Sequence, residues 1–267
     1  MDYVKPPEIA KAMVAAGTMK SGLPAKTLVI RGMLAGAFLA VATSLAVTAA
    51  VQTGLPIVGA ILFPFGLCAV ILLGTELLTG SFALVPCAAW EGKCGWGVVL
   101  QNWCWVFLGN LIGSVLYAAL FAMAVSMSGA VEISAIGAKI VAIAEAKTIK
   151  YAAYGGAGMT TVFVKAILCN WLVSLAVVMA LTTTSVAGKM LAIWGPVVMF
   201  FGQGFEHTVV NMFVIPAGMM MGANIGVGEW WVWNQIPVTL GNLVGGLFFT
   251  GWAIYVTHHP KEPAEVV

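Results

Sequence analysis

Charge is what this chain is short of. Asp, Glu, Lys and Arg make up 8% of its 267 residues, against about 25% in soluble globular domains. That is too little to coat a water-facing surface of this size, which excludes an ordinary soluble domain. The 12 Lys+Arg against 10 Asp+Glu leave a net +2, too sparse for the dense basic face that nucleic acid requires. No CxxC pair occurs. Cys68, Cys87, Cys94, Cys104 and Cys169 are odd in number and scattered, mostly within apolar runs. They read as small packing residues, not as a disulfide framework or a metal site. Glu206 and His207 could suggest an acid–base pair, but adjacent helical residues point about 100° apart. No nucleophile, metal cluster or cofactor motif accompanies them, so neither an enzyme nor a cofactor is expected. A water or glycerol channel would carry Asn-Pro-Ala in each half, and neither half has it.

Apolar residues are what is there, at 61% of the chain with a mean hydropathy of +1.01. An all-α integral membrane protein follows, in which a span needs roughly 20 apolar residues. Six segments qualify: 28–51, 56–89, 97–127, 159–184, 190–221 and 236–257. The second would measure roughly 50 Å as one helix at about 1.5 Å per residue, and the fifth is also overlong. Both hold the fully embedded acids, Glu76 and Glu206. Gly74, Thr79, Gly80 and Pro86 surround the first, and Gly202, Gly204 and Pro216 the second. Helices 2 and 5 are therefore expected to be broken.

The first 27 residues keep returning to charge, at Asp2, Lys5, Glu8, Lys11, Lys20 and Lys26, unlike a cleavable signal. Pro6 and Pro7 just before Glu8 suit a helix's first turn. Ile9, Ala12, Met13 and Ala16 share one face of it, which predicts an amphipathic helix at the membrane interface. With an even number of spans, Lys5, Lys11, Lys20, Lys26, Arg31, Lys93, Lys189 and Lys261 fall on one side. Only Lys139, Lys147 and Lys150 fall on the other. The excess predicts cytoplasmic N- and C-termini. Trp90 and Trp96, and Trp230, Trp231 and Trp233, suit interfacial belts. The whole of 1–267 reads as one transmembrane domain. Its parts are a cytoplasmic interfacial helix (1–27), a first repeat (28–127), an extracytoplasmic connection (128–158), a second repeat (159–257) and a cytoplasmic tail (258–267).

The halves repeat each other. Leu108-Gly-Asn-Leu-Ile-Gly113 returns as Leu240-Gly-Asn-Leu-Val-Gly245 (240 − 108 = 132), and Gly74-Thr-Glu-Leu77 as Gly204-Phe-Glu-His207 (204 − 74 = 130). Arg31 has its counterpart in Lys165 (165 − 31 = 134). Three spans per copy is odd, so the second copy crosses in the opposite sense. Such an inverted repeat places its site at the midplane, where two interrupted helices meet. The LGNLxG pair itself reads as helix packing, because small residues four apart let helices approach closely.

Gly204-Phe-Glu-His-Thr-Val-Val-Asn-Met-Phe213, Ile236-Pro-Val-Thr-Leu-Gly-Asn242, Gly74-Thr-Glu-Leu-Leu-Thr-Gly80 and Leu168-Cys-Asn-Trp-Leu172 closely resemble the formate/nitrite transporter family. The resemblance covers nearly the whole chain. It implies an aquaporin-like protomer of six helices, broken in the second and fifth. It further implies a homopentamer in the inner (cytoplasmic) membrane, with one pore per protomer for formate, nitrite or hydrosulfide.

His207 is the one histidine inside a span, and an ionisable residue there points to function. The resemblance places it in the pore opposite Thr79, where both can donate hydrogen bonds to an oxygen-bearing anion. Glu76 and Glu206 would repel an anion, so they read as loop scaffold, accepting backbone N–H groups freed by the breaks. Asn170 and Asn211 either satisfy loop carbonyls or line the pore. Lys165, the embedded cation near the outer end of the fourth span, either snorkels or draws anions to a vestibule. Phe63, Leu67, Leu77, Leu78, Val173 and Phe200 match the family's hydrophobic constrictions. Leu78 departs from the aromatic residue that some members carry there. A bare anion faces a large barrier at such constrictions. Two mechanisms are open: His207 lends a proton for passage, giving net symport of anion and proton, or the protein is an anion channel in which His207 stays neutral and only hydrogen-bonds. Formate is the expected substrate, with nitrite or hydrosulfide as the alternative.

Overall fold

The computed structural model describes residues 3–259. Asp2 and residues 260–267 of the expected tail, Lys261 among them, lie outside them. The described residues are helical throughout, apart from connections and one isolated bridge between Tyr3 and Thr183. Four helices are long and apolar enough to cross a membrane: α2 (Ala25–Thr53), α5 (Trp96–Val125), α7 (Gly155–Thr182) and α10 (Val227–His258). Four shorter apolar helices come in two consecutive pairs. These are α3 (Pro56–Leu72) with α4 (Leu78–Trp90), and α8 (Val186–Gly202) with α9 (Thr208–Met220). The remaining two are α1 (Pro6–Ser21) and α6 (Ala135–Lys147), the latter followed by one helical turn at Ile149–Ala152.

Helices α4 and α9 form the middle of the molecule. Every residue of Leu78–Ala88 and of Thr208–Gly218 is buried. A helix apolar all round belongs in a core, and these two have no outward face. Pro86 and Pro216 lie inside them and do not interrupt them. The long helices surround this core and point large apolar side chains outward, among them Leu34, Leu45, Leu116 and Leu120.

Close approach of the long helices comes from the repeated LGNLxG motif. A methyl on Gly113 of α5 would overlap the Met33 carbonyl of α2, and one on Gly245 of α10 would overlap the Ile167 carbonyl of α7. Packing of backbone on backbone is what holds helices together in lipid. Helix α1 begins at Pro6 and Pro7 with Glu8 in its first turn. Its Ile9 and Met13 pack with Leu84, Cys87 and Val178. The face that the sequence suggested for a lipid interface therefore meets α4 and α7, because a partner helix offers it a closer fit.

Candidate functional site

Each short pair is interrupted by the same local device. Just beyond the last turn of α3 stands Gly74 with φ +63°, and just beyond that of α8 Gly204 with φ +65°, a left-handed conformation that glycine adopts without strain. The N–H of Thr75 then reaches back to the Val70 carbonyl at 3.0 Å, and that of Phe205 to the Phe200 carbonyl at 3.1 Å. This is the closing bond of a glycine-terminated helix. The next residues run extended, and the following helices start with Leu77 and His207 as N-caps.

An interrupted helix exposes backbone groups that lipid cannot satisfy. Here the long helices satisfy them, identically in both halves. Glu76 N–H donates to the Arg31 carbonyl (3.3 Å), and Glu206 N–H to the Lys165 carbonyl (3.4 Å). Asn110 Oδ1 accepts the Leu78 N–H (3.0 Å), while its amide donates to the carbonyls of Gly32 (2.9 Å) and Glu76 (2.8 Å). Asn242 Oδ1 accepts the Thr208 N–H (2.9 Å), and its amide donates to Ala166 (2.7 Å) and Glu206 (2.9 Å). The repeated motif thus does two jobs: its glycines pack and its asparagine clamps the loop.

The two embedded carboxylates have other partners than the freed N–H groups expected for them. Lys20 Nζ lies 2.7 Å from Glu76 Oε2, and Lys147 Nζ 2.8 Å from Glu206 Oε2. Glu206 also accepts from Tyr151 (3.0 Å), Asn211 (2.8 Å) and Asn234 (3.4 Å). A carboxylate at 1–2% exposure needs a counter-charge far more than it needs another amide, because desolvating an unpaired ion is prohibitive. Burial, and next the adjacent Glu206 carboxylate, push the Tyr151 phenol above its ordinary range, so it stays protonated as the donor.

His207 Nε2 and Thr79 Oγ1 face each other at 3.2 Å. On the other side of the ring, Nδ1 accepts from the N–H groups of Val209 (3.2 Å) and Val210 (3.3 Å), capping α9. A nitrogen that accepts two backbone N–H groups carries no proton. The neutral ring therefore holds its proton on Nε2, aimed at Thr79. Thr79 is fixed in turn, its carbonyl accepting from Asn170 (3.2 Å) and Ser174 (3.3 Å). The Asn170 amide also donates to the Asn242 carbonyl (2.6 Å). The Asn211 amide donates to Glu206 and Asn234, leaving its Oδ1 without a partner. Asn170 thus bonds backbone carbonyls, whereas the Asn211 amide bonds the side chains of Glu206 and Asn234.

Cationic cavities approach this pair from both ends. One, of about 630 Å³, is lined by Lys139, Lys147, Lys150 and Lys165, with Gly204 and Glu206. Lys165 Nζ sits 5.9 Å from the centre of the Tyr151 ring. It continues into a cavity of about 230 Å³ that shares Lys139 and Lys147 and reaches Phe200, His207 and Val210. From the end that carries α1, a cavity of about 340 Å³ is lined by Lys20, Arg31 and Lys189 and reaches Leu67, Leu77 and Gly80. Thr79 and His207 lie between the two approaches. Phe63 packs edge-on against Phe200 (5.7 Å between centroids), and Phe200 stacks on His207 (5.7 Å). Leu78 and Val173 are buried in the same core and line none of these cavities.

Sequence reading missed Asn110, Asn242, Lys20, Lys147 and Tyr151 as members of the site. The asparagines carried a signal, since a polar side chain inside an apolar span recurs 132 residues later (242 − 110). The lysines carried none, being 56 and 59 residues from their carboxylates.

The formate/nitrite transporter family model matches residues 7–256. A probable formate transporter of Methanothermobacter thermautotrophicus is 34% identical over 96% of this chain and 97% of its own. The nitrite transporter NirC of Salmonella typhimurium is 34% identical over 78% of this chain and 74% of its own. A solved pentameric formate channel with formate bound superposes with a TM-score of 0.70 at 28% identity, covering 87% of this chain and 98% of that one.

Proposed function

The chain belongs to the formate/nitrite transporter family and is a multi-pass membrane protein, and on that premise we propose that it conducts small monovalent weak-acid anions, formate first. The observation that carries this reading is the Thr79 Oγ1–His207 Nε2 contact at 3.2 Å, set between cavities lined by lysine and arginine. Lys165, with Lys139 and Lys150, concentrates anions at one mouth. Lys189 and Arg31 do so at the other. Thr79 and the Nε2–H of His207 then offer two donors to a carboxylate. Phe63, Phe200, Leu67, Leu77, Leu78 and Val173 supply the apolar constriction, which admits a conjugate acid far more readily than an ion.

In this reading the protomer has six spans, with α3–α4 and α8–α9 as two interrupted ones, and five protomers assemble in the inner membrane with cytoplasmic termini. The Nδ1 cap favours a His207 that stays neutral and hydrogen-bonds. Lending a proton would first need an imidazolium, whose Nδ1–H would point at two backbone N–H groups. The relatedness to a nitrite transporter supports a second substrate, nitrite, which offers the same pair of oxygens.

Proteoliposome flux of formate, nitrite and hydrosulfide, each at two external pH values, tests this. His207→Phe is expected to lower formate flux about tenfold or more, a loss of at least ~1.4 kcal/mol in barrier terms. Undiminished flux in that variant removes His207 from the path. Formate flux is expected to rise as external pH falls, because with His207 neutral the proton comes from the outer solution, and the conjugate acid it forms is what passes the apolar ring. Equal currents of all three anions at both pH values would make it a general anion channel.

A further inference from the structure

We infer that an ordered water molecule sits between Glu76, Ser81 and Asn102 in the first half of the molecule, in the place that the Asn211 amide takes in the second. The two halves align at Glu76 with Glu206 (206 − 76 = 130), Ser81 with Asn211 (211 − 81 = 130) and Asn102 with Asn234 (234 − 102 = 132). The outer members keep their roles. The Asn234 amide donates to the Lys147 carbonyl (2.8 Å), and the Asn102 amide to the Lys20 carbonyl (3.1 Å). Each of those lysines pairs with the glutamate of its own half.

The middle member differs. Asn211 Nδ2 bridges Glu206 Oε2 (2.8 Å) and Asn234 Oδ1 (2.9 Å). Serine at the matching position is too short to make that bridge. Ser81 Oγ and Asn102 Oδ1 are accordingly both buried without a hydrogen-bond partner, on residues 0% and 2% exposed. Trp103 Nε1 donates to the Ser81 carbonyl (3.2 Å), which holds Ser81 against the helix that carries Asn102. Aligned by the repeat with the Glu206–Asn211–Asn234 bridge, the two orphaned oxygens and the Glu76 carboxylate supply what a buried water requires, namely two to four polar partners. The water donates to Asn102 Oδ1 and to the Glu76 carboxylate and accepts from the Ser81 hydroxyl.

Charge selects water over a cation. Lys20 already neutralises Glu76 at 2.7 Å, so a metal ion placed there would be repelled by the ammonium. A cavity lined by Lys20, Glu76 and Gly80 reaches the carboxylate side of this site. One interrupted helix is thus braced by an exchangeable molecule and the other by a side chain. The inference is independent of which anion is carried.

A crystal structure of the full chain, at a resolution that shows waters, decides it. One peak about 2.7–3.2 Å from the three groups is expected. No peak, with the Ser81 hydroxyl turned onto the Leu77 carbonyl, would overturn the proposal, as would a peak at cation distances of about 2.3–2.6 Å. In Ser81→Asn the new amide is expected to replace the peak and raise the melting temperature by about 2–4 °C. A peak that persists beside the new amide would count against it. If Ser81→Asn does not fold, Ser81→Ala should melt lower by a similar amount, and unchanged melting would sink the idea.

Discussion

Asn242 is the side chain whose loss the second break can least tolerate. Three backbone groups depend on it: the Thr208 N–H and the carbonyls of Ala166 and Glu206. All three belong to buried residues. Leaving a buried polar group unpaired costs about 1–3 kcal/mol. Asn242→Ala is therefore expected to destabilise the protein by roughly 3 kcal/mol or more, seen as a clear drop in melting temperature in detergent. The matching Asn110→Ala should behave alike, and a drop in only one of the two would mean that the halves are not equally strained. The Lys147–Glu206 pair makes a separate case. Lys147→Met strands a carboxylate at 2% exposure, an expected loss of about 3–5 kcal/mol. Adding Glu206→Gln removes the stranded charge and should recover most of it. A double variant no more stable than Lys147→Met would mean that the ion pair is not what holds this loop.

At the scale of helices, the packing of α2 on α5 and of α7 on α10 carries the frame on which the loops hang. The clamp asparagines stand on α5 and α10, so a shift of either helix pulls its loop out of register. Gly113→Leu puts a branched side chain where even a methyl would overlap the Met33 carbonyl. Overpacking costs typically about 1–3 kcal/mol, occasionally more, and here the obstacle is backbone, which cannot swing aside. The variant is expected to lose its monodisperse peak on size exclusion, whereas Gly97→Leu, where nothing lies near, should keep it. Normal behaviour of Gly113→Leu would mean that the helices separate more easily than this packing implies.

For the whole molecule, the proposed orientation and the proposed capture of anions both rest on the distribution of cations. Lys139, Lys150 and Lys165 line the cavity at one end, and Lys189 and Arg31 that at the other. In a cysteine-free background, a single cysteine at Lys139 is expected to react with an impermeant thiol reagent added outside intact cells. One at Lys93 is expected to react only after lysis. The reverse pattern would invert the orientation. Native mass spectrometry of the detergent-solubilised protein is expected to give five chains, and a stable monomer would refute the pentamer.

Much was legible in one dimension. A shortage of charge and a mean hydropathy of +1.01 determine a membrane protein, because hydration of a chain is a sum over its residues and needs no coordinates. Helical structure follows from the same composition, since lipid leaves the backbone no other economical way to pair its N–H and C=O groups. The longer motifs around Glu76, Asn170, Glu206 and Asn242 carried the resemblance to the family, and the recurring Gly-x-Glu marked where α3 and α8 stop, because the glycine that follows each helix acts within its own turn. What only the tertiary structure decided is who pairs with whom. Lys20 and Lys147 looked like interfacial and connecting-loop charges, yet each meets a buried glutamate more than fifty residues away. Asn110 and Asn242 looked like packing residues, yet they accept the first N–H of α4 and of α9. Which nitrogen of His207 faces Thr79 follows from the start of α9 as folded. Inside a low-dielectric core every polar atom needs a partner within about 3 Å, and such distances are created by folding alone.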